Sequence, residues 1–140
     1  MFVRAAVVGD AQRLSELLGQ LGYDVDCKVI IEKLRLMSEA DCDAVFVAER
    51  DKSVIGCISV HTYELFHRRG RSGRITALVV DAGHRNNGVG RALVDEAEKF
   101  CISRKCTRAE VTSGEARLDA HRFYVANGYL QGKKYFVKPL

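Results

Sequence analysis

The segment with the clearest chemical potential is Ala82-Gly83-His84-Arg85-Asn86-Asn87-Gly88-Val89-Gly90. It follows an apolar run, Ile75 to Asp81. It leads straight into an amphipathic stretch, Val89 to about Arg104, with Val89, Ala92, Leu93, Ala97 and Phe100 on one face. A strand that turns into a helix through glycines leaves several backbone N–H groups without intrahelical partners, at the positive end of the helix dipole. Such a turn can cradle a pyrophosphate. Glycine lets the main chain approach the anion with no Cβ between them. Arg85 and Arg91 bracket the loop and can add charge-assisted hydrogen bonds. The bland alternative is a glycine-rich turn that binds nothing.

Two familiar phosphate loops do not fit. Gly83 and Gly88 have the separation of a Walker A loop, but Val89-Gly90 stand where Lys-Ser/Thr is needed. Gly88-x-Gly90 begins like a dinucleotide-binding fingerprint, but Ala92-Leu93 follow and supply no third glycine. Arg85-Asn86-Asn87-Gly88-Val89-Gly90 does fit a third pattern, R/Q-x-x-G-x-G/A, placed directly after Leu78-Val79-Val80. On these residues the chain resembles the GNAT superfamily, the Gcn5-related N-acetyltransferases. The resemblance implies that acetyl-CoA is the co-substrate. It implies that Arg85, Asn86, Asn87, Gly88, Val89, Gly90 and Arg91 hold the pyrophosphate, and that the Leu78, Val79 and Val80 main chain pairs with the pantetheine arm. It further implies that the strands carrying Leu78–Val80 and Val111-Thr112 splay apart, with a backbone N–H there to polarise the thioester carbonyl.

A second signature lies near the C-terminus. Asp119-Ala120-His121-Arg122-Phe123-Tyr124, followed by Gly128-Tyr129, is similar to the family's A-x-x-F-Y-x-x-x-G-F/Y element. The resemblance makes Tyr124 the general acid that protonates the departing thiolate. The alternative for Tyr124 is a core aromatic with its hydroxyl at the surface. Phe123 and Tyr129 are better core candidates, and Gly128 is placed to stop a helix.

The chain departs from the family pattern twice. Arg117 stands seven residues before Tyr124, where many relatives carry an asparagine that bonds the pantetheine arm. Arg117 either contacts the cofactor in its place or is a solvated helix residue. Ala77 stands where relatives often place a glutamate that accepts the amine proton through water. His61, Glu64, His67 and Glu110 are the candidate bases, each also readable as a structural or surface residue. An amine of low enough pKa needs no dedicated base.

His67-Arg68-Arg69-Gly70-Arg71-Ser72-Gly73-Arg74 places four arginines within seven residues. A solvated loop is the first reading. A clamp for a carboxylate or phosphonate on the acceptor is the second. Nucleic acid comes last and is not expected, because no aromatic interleaving accompanies the charge.

The elements that must position these residues follow from periodicity. Phe2–Val8 reads as a strand. Asp10 is placed to cap a helix carrying Leu14, Leu17, Leu18 and Leu21 inward, and Gly22 is placed to end it. A second helix after Asp26 would bury Val29, Ile30, Leu34 and Met37. Ala44–Glu49 and Val54–Phe66 read as a hairpin, and Ile75–Asp81 as a central strand apolar on both faces. Arg108–Thr112 reads as a strand, Ala116–Ala126 as a helix and Tyr135–Lys138 as a last strand. The expected fold is a mixed α/β (α+β) domain covering 1–140. Its central sheet is mostly antiparallel, with splayed central strands and flanking helices.

Composition excludes several classes. The 140 residues are 47% hydrophobic and 29% charged, which suits one globular core rather than a disordered chain. No run approaches the roughly 18 apolar residues of a membrane span, so no membrane partner and a cytoplasmic location are expected. The five cysteines form no C-x-x-C pair and read as reduced, mostly buried thiols. Neither they nor the four histidines have metal-ligand spacing, so no metal is expected. The net charge of +4 is compatible with an anionic ligand. The partners implied are therefore acetyl-CoA and an amine acceptor, with a homodimer suggested by family habit. An acetyl-CoA sensor without catalysis, and a protein or peptide N-acetyltransferase, are the competing readings.

Overall fold

The computed structural model describes residues 1–112, 118–132 and 136–140. In chain order the elements are β1 (Phe2–Ala5), α1 (Ala11–Gln20), α2 (Cys27–Glu39), β2 (Asp43–Arg50), β3 (Ser53–Glu64), β4 (Arg71–Val80), α3 (Val89–Ser103), β5 (Cys106–Val111) and α4 (Leu118–Ala126). Among the described residues one sheet holds five strands in the order β1-β2-β3-β4-β5. The first four pair antiparallel, and β5 joins β4 in parallel through the α3 crossover.

Helices cover both faces of this sheet. On one face α3 packs Val89, Leu93, Val94, Ala97 and Cys101 against Ile55, Ile58, Val60 and Ile75. On the other, α1 and α2 pack Ala11, Leu14, Leu17, Ile30 and Leu34 against Val47, Val54, Cys57 and Val79. β4 therefore buries side chains on both faces, as its apolar sequence requires. Cys57 and Cys101 are buried, and the other three cysteines are half-buried; all five are free thiols. Burial pushes the Cys57 thiol up to about 12 and the Cys101 thiol to about 11, which leaves both unreactive.

Several sequence expectations are corrected. β1 stops at Ala5, because a one-turn 3-10 helix, Val8–Asp10, intervenes before α1. The Asp10 carboxylate does not cap α1. It takes the Val7 N–H at 2.8 Å and a bidentate pair of bonds from Arg4 at 2.9 Å. Val29 is exposed, and Ile30 and Leu34 carry the buried stripe of α2. β3 ends at Glu64, so Phe66 lies outside it and is fully exposed. β4 begins at Arg71, within the supposed basic loop, where Arg71 pairs with Glu64 and Arg74 with Glu110. Phe136–Lys138 form no strand, and Phe136 and Val137 are exposed; Tyr135 lies outside the described residues. Ala116 and Arg117 also lie outside them.

Candidate active site

The β4–β5 ladder runs from Arg71↔Cys106 to Ile75↔Val111 and ends there, while β4 continues to Val80. The next residue, Thr76, is the extra residue of a bulge, since Val60 pairs with Ile75 and Ser59 with Ala77. A bulge bends and twists its strand, and this one lies where the β4–β5 ladder ends. Ser59 and Thr76 hydroxyl oxygens, 2.6 Å apart, tie the bulge to β3. Leu78, Val79 and Val80 pair with Ile58, Cys57 and Gly56 of β3, which leaves their other edge unpaired by β5. Among the described residues the β4–β5 ladder stops at Ile75↔Val111, and Leu78–Val80 lie beyond its end.

The loop after β4 is fastened at its root. The Asp81 N–H donates to the Ile55 carbonyl at 2.8 Å. The Asp81 carboxylate accepts from the Gly83 N–H, His84 Nδ1, Gln20 Nε2 and Arg13 Nη2 at 2.9–3.2 Å. Gln20 returns a bond from its Oε1 to the Ala82 N–H at 3.0 Å, and Arg13 also reaches the Val54 carbonyl at 2.8 Å. These donors, Gln20 first, then His84 and Arg13, hold the Asp81 carboxyl well below the usual carboxylate range against the opposing effect of burial. Arg13 and Gln20 were missed in the sequence, because nothing in the α1 pattern signals a partner more than sixty residues away.

Past this clamp the loop opens. Asn86 adopts φ 65° and Gly88 φ 78°, both left-handed. Gly88 is the N-cap residue of α3 and has no side chain to cap it; no acidic residue occupies the first turn. The first intrahelical bond is that of the Ala92 N–H to the Gly88 carbonyl at 3.1 Å. The N–H groups of Val89, Gly90 and Arg91 precede it. The Val89 side chain is buried and anchors the turn, so only its main chain can serve a ligand. Asn87 and Arg91 are exposed beside it. Arg85 donates from Nε to the Val80 carbonyl at 3.2 Å, which bridges the loop back to the end of β4.

The two loop glycines have different reasons to be glycine. At Gly88 a Cβ would meet open space, and the positive φ is what selects the residue. At Gly90 a Cβ would stand 3.0–3.1 Å from the ring of Phe123. Gly90 therefore lets α4 dock on the first turn of α3.

α4 ends in a Schellman motif. Tyr129 donates its N–H to the Tyr124 carbonyl at 3.0 Å, Gly128 to Val125 at 3.0 Å, and Gly128 has φ 90°. This turn carries the Tyr129 ring back against Tyr124, with centroids 5.9 Å apart at 68°. Phe123 and Tyr129 pack against the α3 core, as expected for core aromatics. The Tyr129 hydroxyl donates to Glu98 at 2.8 Å; burial, then Glu98, push its pKa up, which keeps it protonated. Tyr124 is half-buried between these two anchors, its ring also edge-on to Phe123 at 5.3 Å. The F-Y-x-x-x-G-Y spacing thus braces Tyr124 at the helix end between Phe123 and Tyr129.

The candidate bases separate. His67 is exposed in the loop after β3, and Glu64 pairs with Arg71. Glu110 bonds the Tyr63 hydroxyl and pairs with Arg74 and Arg108. His61 Nδ1 pairs with Asp43, and its ring stacks on Tyr63. With Cys42, these two bring three possible metal-ligand atoms within 4.8 Å of one another, a grouping no spacing in the sequence announced.

Residues 15–129 match the model of the acetyltransferase (GNAT) family, and the chain belongs to that family. It is 34% identical over 94 residues, 67% of its length, to an aminoalkylphosphonate N-acetyltransferase of Salmonella typhimurium. The matched stretches span about three fifths of the curated relatives' own length, 61% for that protein and 59% for an uncharacterized N-acetyltransferase of Archaeoglobus fulgidus. Glucosamine-6-phosphate N-acetyltransferase of Arabidopsis thaliana has the same fold, with TM-score 0.82 and 23% identity over 99% of this chain and 97% of that one. An aminoglycoside N-acetyltransferase solved with CoA superposes with TM-score 0.87 and 15% identity, over 99% and 93% of the two chains. Among the described residues no helix is long and apolar enough to cross a membrane.

Proposed function

We propose that this protein transfers an acetyl group from acetyl-CoA to the primary amine of a small molecule, by direct attack within a ternary complex. The observation that carries the reading is the start of α3. Three consecutive main-chain N–H groups stand ahead of the first helical bond, behind a left-handed Gly88, with no carboxylate in the turn. That chemistry suits a diphosphate and repels nothing about it. The edge of Leu78–Val80 that β5 does not pair ends at the same loop and accepts an extended, amide-bearing arm as an added strand. Arg85 and Arg91 supply charge at the rim, and Arg117 extends the cofactor-binding set.

Within this reading Tyr124 is the general acid. The amine attacks the thioester carbon, the C–S bond breaks, and the phenol proton passes to the sulfur. A main-chain N–H of the splayed β4 segment receives the developing oxyanion. The acceptor is a small amine bearing an anionic group. The aminoalkylphosphonate-acetylating relative supports this, and so do Arg68 and Arg69, which lie exposed after β3. The enzyme works in the cytoplasm without nucleic acid. A homodimer is part of the proposal, supported by the exposed Leu130, Phe136 and Val137 near the C-terminus.

The test combines titration calorimetry against acetyl-CoA and CoA with release of free thiol in the presence of aminoalkylphosphonates, other small amines and peptides. Micromolar binding and turnover with a small amine are expected. Binding without turnover on any amine would mark a sensor domain, turnover on peptides alone a protein acetyltransferase, and no heat with either form of the carrier would end the proposal.

A further inference from the structure

The usual base position on β4 is Ala77, whose methyl group cannot take a proton. In register Ala77 pairs with Ser59 of β3, and two residues further along β3 stands His61. Strand alternation puts Ser59 and His61 on one face. Ile58 and Val60, between and beside them, lie in the cluster with α3, so His61 faces the side covered elsewhere by α1 and α2. It lies one ladder pair from the bulge at Thr76, opposite Arg74. Its side chain is 46% exposed, while that of Asp43 is 20% exposed.

We infer that His61, oriented by Asp43, is the general base that accepts the acceptor's ammonium proton in this chain. The inference rests on the acetyltransferase reading above. An ionised carboxylate can only accept a hydrogen bond, so Nδ1 is the nitrogen that donates to Asp43, and in the neutral imidazole Nε2 is the one left to take a proton. Asp43 thereby fixes the tautomer and the ring plane, the part a carboxylate plays behind a catalytic histidine. The stacked Tyr63 ring, 5.8 Å away and 16° from parallel, limits rotation of the imidazole. Two residues along a strand is about 6.6 Å, and Ala77 lies across the ladder from Ser59, so the path from an amine near Ala77 to Nε2 runs through bridging water. Arg74, opposite His61, is neutralised by Glu110, which Arg108 and the Tyr63 hydroxyl also engage. Of the remaining ionisable groups nearby, Cys42 stands beside Asp43, and Glu39, Asp41 and Arg104 line the same cavity as Asp43, Arg104 paired with Asp41.

The proton count closes. One ammonium proton passes through water to Nε2, and the free amine attacks the carbonyl carbon. The C–S bond breaks and the thiolate takes the Tyr124 proton. The acylated nitrogen sheds its second proton, which returns to the Tyr124 oxygen through water, and His61 releases its proton to solvent.

The test uses the full chain with the best amine found for the wild type. His61→Gln is expected to lower kcat about 100-fold or more, with unchanged heat of acetyl-CoA binding and an unchanged melting curve. It should also lose the acidic limb of the wild-type kcat/KM profile. Across amines of falling pKa the deficit should shrink, because such amines arrive unprotonated, and free imidazole should restore part of the activity of His61→Ala. Asp43→Asn, which perturbs positioning only, should lose less. A His61→Gln enzyme with wild-type turnover and pH profile, or a deficit independent of amine pKa, overturns the assignment. So does loss of wild-type activity to a chelator with recovery on Zn(II), which would make Cys42, Asp43 and His61 metal ligands instead. If the wild type binds acetyl-CoA but acetylates nothing, the failure belongs to the acetyltransferase reading and not to His61.

Discussion

Two strand-to-helix junctions in this protein are built alike and end differently. After β1 the chain makes one 3-10 turn, Val8–Asp10, and enters α1; after β4 it makes one 3-10 turn, Ala82–His84, and passes through a short loop into α3. Each turn involves an aspartate whose pKa is lowered by its partners. At the first junction Asp10 itself stands at the head of α1, its charge spent on Arg4 and the Val7 N–H. At the second, Asp81 stands back from the helix and is held by Gln20, His84 and Arg13, while Gly88 opens α3 with no side-chain cap. A helix start that already carries a carboxylate has little use for another anion, and one left bare has. On the proposed function, the binding chemistry lies in what the second junction omits, and Asp81 holds the root of that loop in place.

The sharpest way to break this contrast is at Gly88. Gly88→Val should abolish measurable acetyl-CoA binding in calorimetry, because a β-branched residue at φ 78° forces the turn to rearrange. Gly88→Asn, which tolerates the left-handed region, should retain part of the affinity, and tight binding by the valine variant would count against the loop. Next in size is Tyr124→Phe, expected to lower kcat by about 10- to 1000-fold with little change in cofactor affinity. Wild-type turnover of the true substrate would remove Tyr124 as the acid.

A smaller effect is expected at Gly90. Gly90→Ala sets a methyl 3.0 Å from the Phe123 ring, so α4 must shift by a few tenths of an ångström. Steady-state kinetics should show a several-fold fall in kcat, larger than any change in acetyl-CoA affinity. An equal or larger loss of affinity would mean that Gly90, like Gly88, serves the ligand directly.

The mildest prediction concerns Asp81 and acid. Its folded pKa lies below the unfolded value, so it contributes stability that is present above about pH 4 and lost as pH falls through the folded pKa. Asp81→Asn should be less stable than the wild type in urea at neutral pH, and the two curves should converge in acid. A constant gap across that range would show that Asp81 acts through geometry alone.

Local chemistry left clear marks in the sequence. The i, i+3, i+4 stripes of α1 and α3, the apolar run of β4, the glycine stops at Gly22 and Gly128, and the R-x-x-G-x-G loop are all patterns of near neighbours, and each has its counterpart in the fold. Boundaries blurred where a tertiary partner decided them. Arg71 to Arg74 read as basic loop, yet they form β4 because Glu64 and Glu110 on neighbouring strands receive their charges. Val8 reads as strand, yet it opens a 3-10 turn because the Asp10 carboxylate turns back to the Val7 N–H and Arg4.

The sequence by itself determined the family, the glycine turn into α3 and the F-Y-x-x-x-G-Y helix end, because each depends on residues within a few positions of one another. Only the tertiary structure decided that α1 clamps the loop after β4 through Arg13, Gln20 and Asp81, that Gly90 makes room for Phe123, and that Asp43 pairs with His61. Those contacts join residues 18 to 68 positions apart in the chain. No period or spacing encodes a partner at that distance; the register of the sheet and the packing of helices on its two faces do.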